Sequence, residues 1–443
     1  MAYFLQLHST VKIEKNSTGT LVVSHPGGTL TYSNSFSACI QKVLLLLEKG
    51  ATETQLMETW GSDSHSLPYF FYTLNKLHQH NILSYTISHE DRPLARLHPF
   101  PGFSWDKEVV SQHKKLLSRF ACLRRENESF FLESPLAHAK IEILDPIGFQ
   151  ILASLGKGVE MEDLTAENKE FIDLLEKGGF LEDEKPSLRL WEFHDLFFHS
   201  RSRQGRCGSP YGATFRFLSD MPPFPPIRPI GDQPLIPLKK ALSDSDSPPF
   251  YEVLEKRRSL REYGEQPITL EQLGEFLFRS AAVRTVGKGK EYAPLLRTTP
   301  SGGACHPIEI YPLIAHCSGA SPGLYRYERE QHALSLLAPL SKEMEKLLSS
   351  PNSMLQGGAT VQILFIFTAR FGRTLWKYER MAYAAILKDV GALMQTMYLV
   401  ATAMGLAPCA NGGGDSDLFE KVSGLDYFEE GAVGEFVLGS KKE

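Results

Sequence analysis

The chain has little that would mark it for nucleic acid, a membrane or a metal. Its formal net charge is −5 over 443 residues, which leaves no basic footprint for nucleic acid. Six cysteines (Cys39, Cys122, Cys207, Cys305, Cys317, Cys409) are scattered with no CxxC pair. That spacing excludes the usual zinc signatures and fits free thiols in a reducing cytoplasm. No Walker motif and no GxGxxG fingerprint occurs, so the common nucleotide-binding loops are missing. The opening Met-Ala-Tyr-Phe-Leu-Gln-Leu-His lacks the basic flank and apolar run of a signal peptide, and a cytoplasmic location is expected. One uncharged stretch, Val390 to Pro408, imitates a membrane span. Its Gln395, Thr396, Thr402 and Gly405, and the Lys388-Asp389 before it, favour a core helix instead.

What is present reads as a multidomain globular protein. Its 42% hydrophobic and 22% charged residues are ordinary for that class, and its length exceeds what one core usually organises. Residues 3–33 alternate apolar and polar between turn residues and predict short antiparallel strands. Helices are expected over Phe36 to Glu48, Thr52 to Trp60 and Leu67 to His80, then a strand over Ser84 to Ile87. The order recurs: strands from Phe120 to Leu144, helices over Asp145 to Leu155 and Asn168 to Lys177. Leu44 to Gly50 parallels Ile151 to Gly158, and Leu77 to Leu83 parallels Leu175 to Leu181, which suggests a duplicated unit. Strands, helices and a terminal β-wing make a winged-helix-like plan over 1–95 and again over 110–185. Neither Leu67 to His80 nor Asn168 to Lys177 is strongly basic, so peptide docking by strand addition suits these modules better than DNA. A purely structural role is the bland alternative.

Residues 186–249 read as a connector. His194 and His199 stand at i and i+5, not the i,i+4 of a metal pair on one helix face. Pro222 to Pro249 holds nine prolines, whose fixed φ and missing donors should keep the segment extended and out of any sheet. From 250 the pattern changes. Leu270 to Ala281 predicts a helix with Thr269 and Gln272 as a capping box. Ile308 to Ile314 and Val361 to Thr368 read as core strands, Phe436 to Leu438 as a short final strand, and Trp376 to Met404 as one long helix.

Three stretches carry chemistry. Arg257, Arg258, Ser259 and Arg261 crowd three guanidiniums around one hydroxyl, apt for a phosphate or simply a solvated helix end. Pro300-Ser301-Gly302-Gly303 is a loop whose backbone can approach a flat ring, or an ordinary turn. Lys377-Tyr378 offers a general base in either residue, or a snorkelling lysine beside a half-buried tyrosine. In this order, and followed by a long helix, the stretches resemble the FMN-binding pattern of the nitroreductase fold. The resemblance is greatest to SagB-type azoline dehydrogenases, cyanobactin thiazoline/oxazoline oxidases in particular.

That resemblance implies an α+β chain with a C-terminal FMN domain at 250–443 behind two winged-helix-like modules. It implies FMN as cofactor, a homodimer sharing the flavin site, a heterocycle-containing precursor peptide as substrate, and no metal. The connector around Trp191 to Arg203 is expected to be an amphipathic helix packed on the flavin domain. Gln395 would face the flavin edge or a backbone carbonyl. Asn411-Gly412-Gly413-Gly414 would present N–H groups to an anion or ring, or serve as a flexible connector. His306 is as apt for the rim or core as for catalysis, and whether Lys441 gives the further basic phosphate contact that many nitroreductases have near this point is left open. The alternatives are a general NAD(P)H-dependent nitroreductase and a flavin-free peptide-binding scaffold.

Overall fold

The structure is a computed structural model describing residues 3–17, 19–25, 28–32, 37–61, 65–90, 92–105, 114–182, 186–206, 208, 210–240, 248–289 and 291–442. Phe36, Cys207 and the Ser243 to Ser247 run fall outside them. Two compact units divide the chain, Met1–Ser209 and Pro210–Glu443.

The first unit runs β1 (Phe4–Leu7), β2 (Lys12–Lys15), β3 (Leu21–His25), β4 (Gly28–Tyr32), α1 (Ser37–Lys49), β5 (Ala51–Thr52), α2 (Glu53–Trp60), α3 (Leu67–Gln79), β6 (Leu83–His89) and β7 (Arg92–Pro99). It continues with β8 (Lys114–Lys115), β9 (Cys122–Glu126), β10 (Ser129–Glu133), β11 (Ala139–Ile143), α4 (Pro146–Leu155), β12 (Val159–Glu160), α5 (Ala166–Gly178) and α6 (Phe193–Arg201). The duplication has a structural counterpart. β1 pairs antiparallel with β5 and β6; β8 pairs with β12, and Leu117 bridges Leu181. Each long helix α3 and α5 follows a short strand that closes this pairing. Sequence patterning did not reveal β7, which pairs with β11 and so runs one seven-stranded antiparallel sheet, β5-β1-β6-β7-β11-β10-β9, through both expected modules. Helix α6 belongs to this unit rather than to the second: Arg201 Nη2 donates to the Ser134 carbonyl at 3.2 Å and lies 3.5 Å from Glu133.

The second unit comprises β13 (Leu235–Pro237), α7 (Phe250–Lys256), α8 (Leu270–Ala281), β14 (Val283–Val286), β15 (Leu295–Arg297), β16 (Ile308–Ile314), β17 (Gly323–Glu328), β18 (Ala333–Pro339), α9 (Lys342–Leu347) and α10 (Ser349–Met354). Then come β19 (Ile363–Arg370), α11 (Phe371–Leu375), α12 (Ala382–Ala403), β20 (Leu406–Asn411), α13 (Ser416–Ser423) and β21 (Glu430–Ser440). Its antiparallel sheet has the order β13-β18-β17-β16-β19-β21-β20. β16 and β19 are buried throughout, as continuous apolar runs covered on both faces should be. Length and composition alone would let α12 cross a membrane. Instead Ile386, Val390, Leu393 and Met397 are buried in the core with β16, β19 and β21.

Two expectations fail here for physical reasons. The proline-rich connector does enter a sheet: Leu235–Pro237 pairs with β18 as an edge strand, a position where a missing N–H donor can face away from the sheet. The helix expected from Trp376 starts only at Ala382, because Arg380 adopts a left-handed φ of 62° that no α-helix accommodates. Lys377 and Tyr378 therefore sit in a loop between two helices.

Candidate active site

The loop between β15 and β16 is fastened to α12 through one carboxylate. Ser301 Oγ donates to Asp389 Oδ2 at 2.5 Å, and Gly302 N–H donates to Asp389 Oδ1 at 3.1 Å. Ser301 Oγ in turn accepts the His306 N–H at 2.8 Å. Burial pushes the Asp389 carboxyl up, and its two donors oppose that shift. Sequence reading passed over Asp389 as the charged lead-in to an apolar run. Its place beside Ile386 and Val390 on the buried stripe was the available signal, since an acid there must be partnered.

Gly303 meets the Lys-Tyr pair. Lys377 Nζ donates to the Gly303 carbonyl at 3.0 Å. Gly303 has φ 59°, and a Cβ on it would collide with Tyr378 Oη and stand 2.7 Å from Lys377 Nζ. Glycine is favoured there by its backbone angle, and any Cβ would push the tips of Lys377 and Tyr378 aside. Gly302 is less constrained, since a Cβ would reach only ordinary contact with Ala385 at 3.4 Å. Pro300 is exposed at the loop's entrance.

The surroundings are cationic but internally satisfied. Arg373 is fully buried and donates to the carbonyls of Cys305, Phe224 and Ala293 at 2.8–3.2 Å. Burial lowers the His306 imidazole to about 3, with Arg297, Arg329 and Arg373 adding to the shift. His306 is thus neutral near pH 7 and buried, a core histidine rather than a proton donor. Burial raises the Cys305 thiol. It also raises the Tyr378 phenol, with Cys305 and Asp389 reinforcing, so that phenol stays protonated at neutral pH.

The arginine cluster lies further along α12. Ser259 Oγ and Tyr398 Oη are 2.8 Å apart, Tyr398 Oη accepts the Ala410 N–H at 2.7 Å, and Leu260 N–H donates to the Pro408 carbonyl at 2.9 Å. These bonds fix the segment's backbone against α12 and β20. The Arg257 guanidinium stands 5.3 Å from the Tyr398 ring centre, and Arg258 Nη1 donates to the carbonyls of Glu255 and Arg257. Among the described residues neither they nor Arg261 form an ion pair. Unneutralised guanidiniums on a fixed backbone fit a phosphate such as that of FMN.

Within one chain, then, Ser301, Gly302, Gly303, Lys377 and Tyr378 come together. Arg257, Arg258, Ser259 and Arg261 form a second group, anchored at Tyr398. Asp389 and Tyr398 are nine residues apart, about 14 Å along a helix. Gln395 is exposed, so no internal partner is forced on it. Gly412 and Gly413 are exposed just after β20, where Gly413 N–H donates to Asn411 Oδ1 at 3.2 Å. Asn411 Nδ2 donates to Glu435 Oε2 at 2.5 Å, and burial pushes the Glu435 carboxyl up to about 7. Lys441 is exposed and bridges Tyr263. No group of His, Cys, Asp and Glu among the described residues could hold a metal.

Residues 254–440 match the nitroreductase family, and residues 115–208 match the cyanobactin oxidase family ThcOx. A putative nitroreductase of Methanocaldococcus jannaschii is 32% identical over 171 residues, 39% of this chain and 82% of the relative. The trifolitoxin-processing protein TfxB of Rhizobium leguminosarum bv. trifolii is 30% identical over 165 residues, 36% of this chain and 44% of the relative. Among solved structures, a putative nitroreductase from Ralstonia eutropha is 22% identical, covering 50% of this chain and 99% of that one with a TM-score of 0.38. The E. coli microcin synthetase McbBCD complex with truncated pro-MccB17 bound is 19% identical, covering 54% and 85% with a TM-score of 0.36. Fold and matched families together define an oxidoreductase. The chain belongs to the nitroreductase family, and its cyanobactin-oxidase segment gives it the make-up of the SagB-type dehydrogenases.

Proposed function

We propose that this chain is an FMN-dependent azoline oxidase, converting thiazoline or oxazoline rings of a ribosomal precursor peptide to thiazoles or oxazoles. The convergence of the Gly303 loop with Lys377 and Tyr378 carries the reading, and the cyanobactin-oxidase match at 115–208 supports it. Arg257, Arg258, Ser259 and Arg261 would hold the phosphate. The Pro300 to Gly303 loop, Gln395, Gly412 and Gly413 would line the ring system. When bound, FMN supplies a hydride acceptor that molecular oxygen can reoxidise. Lys377 takes the ring proton through Nζ, which has one acceptor, the Gly303 carbonyl, among the described residues. Tyr378, held protonated, donates a hydrogen bond at the same rim and positions the heterocycle.

Two copies would share each site. The separation of the two residue groups along α12 suits one copy giving arginines and the other the loop. Tyr383 and Leu387 are 42% and 38% exposed on α12, and with Gly391 and Gln395 they form a stripe of spacing four for a second copy to cover. The N-terminal modules would dock the peptide by strand addition at a free edge such as β9. The free thiols of the described cysteines suit a reducing cytoplasm.

The test is direct. The purified chain should be yellow, with flavin bands near ~370 and ~450 nm, and should remove two hydrogens from a thiazoline peptide without NAD(P)H. The identity to a putative nitroreductase favours one second reading, a general NAD(P)H-dependent nitroreductase. Nicotinamide consumption without peptide, and no ring oxidation, would select it. A colourless, inactive preparation would sink both in favour of a scaffold.

A further inference from the structure

Residues 210–217 lie between the two family matches, 115–208 and 254–440, yet they pair with the backbone of the reactive loop. Gly212 N–H donates to the Glu379 carbonyl at 3.3 Å, and Glu379 N–H returns a bond to the Gly212 carbonyl at 2.9 Å. Phe215 N–H donates to the Lys377 carbonyl at 3.2 Å. Thr214 Oγ1 donates to Glu379 Oε2 at 3.2 Å, and Arg216 Nη1 stands 3.8 Å from Glu379 Oε1. Four residues of the strap, Gly212, Thr214, Phe215 and Arg216, thus grip two of the loop, Lys377 and Glu379.

Backbone strain marks the same place. Among the described residues of the second unit, the non-glycine ones with positive φ are Phe215 (51°), Ala304 (55°), His306 (44°), His332 (52°) and Arg380 (62°). All but His332 belong to the strap, to the Ser301 loop or to the Lys377 loop. Phe, Ala and Arg lack the short polar side chain that eases this region. Such conformations persist only where the surroundings over-determine them, and they gather at functional sites.

The lysine tip is ringed by aromatic faces. Nζ lies 5.1 Å from the Tyr292 ring centre, 5.3 Å from that of Tyr378 and 6.0 Å from that of Phe215. These distances fall within the reach of a ring quadrupole on an ammonium. Phe215 alone among the three also bonds the Lys377 backbone, and its ring packs edge-on against Trp376 at 5.9 Å. It therefore restrains both ends of a side chain whose four-carbon stem is otherwise flexible.

We propose that Phe215 is a positioning residue for Lys377, holding the amine where a substrate ring must meet it. The strap would then be part of the active site and not a tether. The inference rests on the azoline-oxidase reading for its kinetic consequence. Misplacing a reacting group by an ångström can cost on the order of 10²-fold, and loss of one of three flanking rings should cost less.

The experiment uses the full chain with Phe215→Leu, which keeps bulk but loses the π face, and Phe215→Tyr, which keeps both. Phe215→Leu should lower kcat for thiazoline oxidation about tenfold, with KM for the peptide and flavin content unchanged. Phe215→Tyr should stay within about twofold of the parent. Competitive acetylation by acetic anhydride, mapped by mass, gives an activity-independent readout. Lys377 should label at least about threefold faster, relative to other lysines, in Phe215→Leu only. Parental turnover and labelling in Phe215→Leu would overturn the proposal, as would equal losses in both variants. Should the parent itself not oxidise azolines, the proposed function fails. The labelling comparison then decides the placement of Lys377 by itself.

Discussion

Both units are built on a seven-stranded antiparallel sheet, and they treat charge and strain in opposite ways. The N-terminal unit buries two charged side chains among the described residues, Lys115 and Glu133. Each has a partner: Glu176 at 2.5 Å from Lys115, and Arg124 at 2.6 Å from Glu133. Its positive-φ non-glycine residues are Asn81, Glu90 and Asn127, two of them the type that tolerates that region. The C-terminal unit buries Glu309, Arg326, Glu328, Arg329, Arg370, Arg373, Glu430 and Glu435, and strains Phe215, Ala304, His306, His332 and Arg380. Local rules suffice where side chains have only to pack. They are broken where groups must be held out of water in fixed positions, and the strap makes that tolerable. It continues as residues 218–229, whose carbonyls at Met221, Phe224, Pro226 and Pro229 accept from Trp376, Arg373, Arg329 and Arg326.

The sharpest way to break this contrast is to remove the strap. A chain starting at residue 210 should fold, bind FMN and oxidise short heterocycles while losing its preference for long peptides. A chain starting at 250 should not fold. Each buried donor left without an acceptor costs about 1–3 kcal/mol, more when charged, against about 5–15 kcal/mol for a whole domain. Thermal melts of the two truncations decide this, and a cooperative melt from the shorter one would refute it. Full affinity of the longer one for long peptides would reduce the N-terminal modules to scaffolding.

Next in size is the base. Lys377→Ala should retain FMN but oxidise azolines about 10²–10⁴-fold more slowly, the range of a positioned base. Tyr378→Phe should lose less, because its phenol is held protonated. Turnover by Lys377→Ala within roughly threefold of the parent would send the proton elsewhere. Arg257→Ala or Arg261→Ala should weaken FMN about tenfold or more, as expected from losing a charge-assisted contact of roughly 1.5–3 kcal/mol. Full flavin occupancy in both would dissolve the phosphate site.

The smallest effect concerns buried charge itself. Burial pushes the Glu435 carboxyl up to about 7 from an ordinary 4.5, so the native state binds the extra proton between those values. Stability should fall as pH rises through that window and level off above it. Glu435→Gln should flatten the decline, its melting temperature gaining on the parent by a few degrees toward pH 7. Parallel pH profiles would mean Glu435 is ionised throughout.

Much of the fold was legible because its signals are local. Thr269 and Gln272 form the expected capping box, and the strand at Ile308–Ile314 has the expected bounds. Strand β21 runs from Glu430 rather than Phe436, since Gly431 and Gly434 hide its strand character. A Cβ at Gly434 would press on Val390 and Met394, a packing constraint that patterning does not display. Strand β7 and the edge strand Leu235–Pro237 escaped notice because their partners, not their own residues, make them strands.

By itself the sequence determined the helix caps, the core strands and the residue types available for a site, all encoded within a few positions of each other. Only the tertiary structure decided what those residues touch. Lys377 and Gly303 are 74 positions apart, Ser301 and Asp389 are 88, and Thr214 and Glu379 are 165. Spacing carries no information on such pairs. They form because a buried carboxylate, an amine and unpaired carbonyls must find partners once the sheet closes over them.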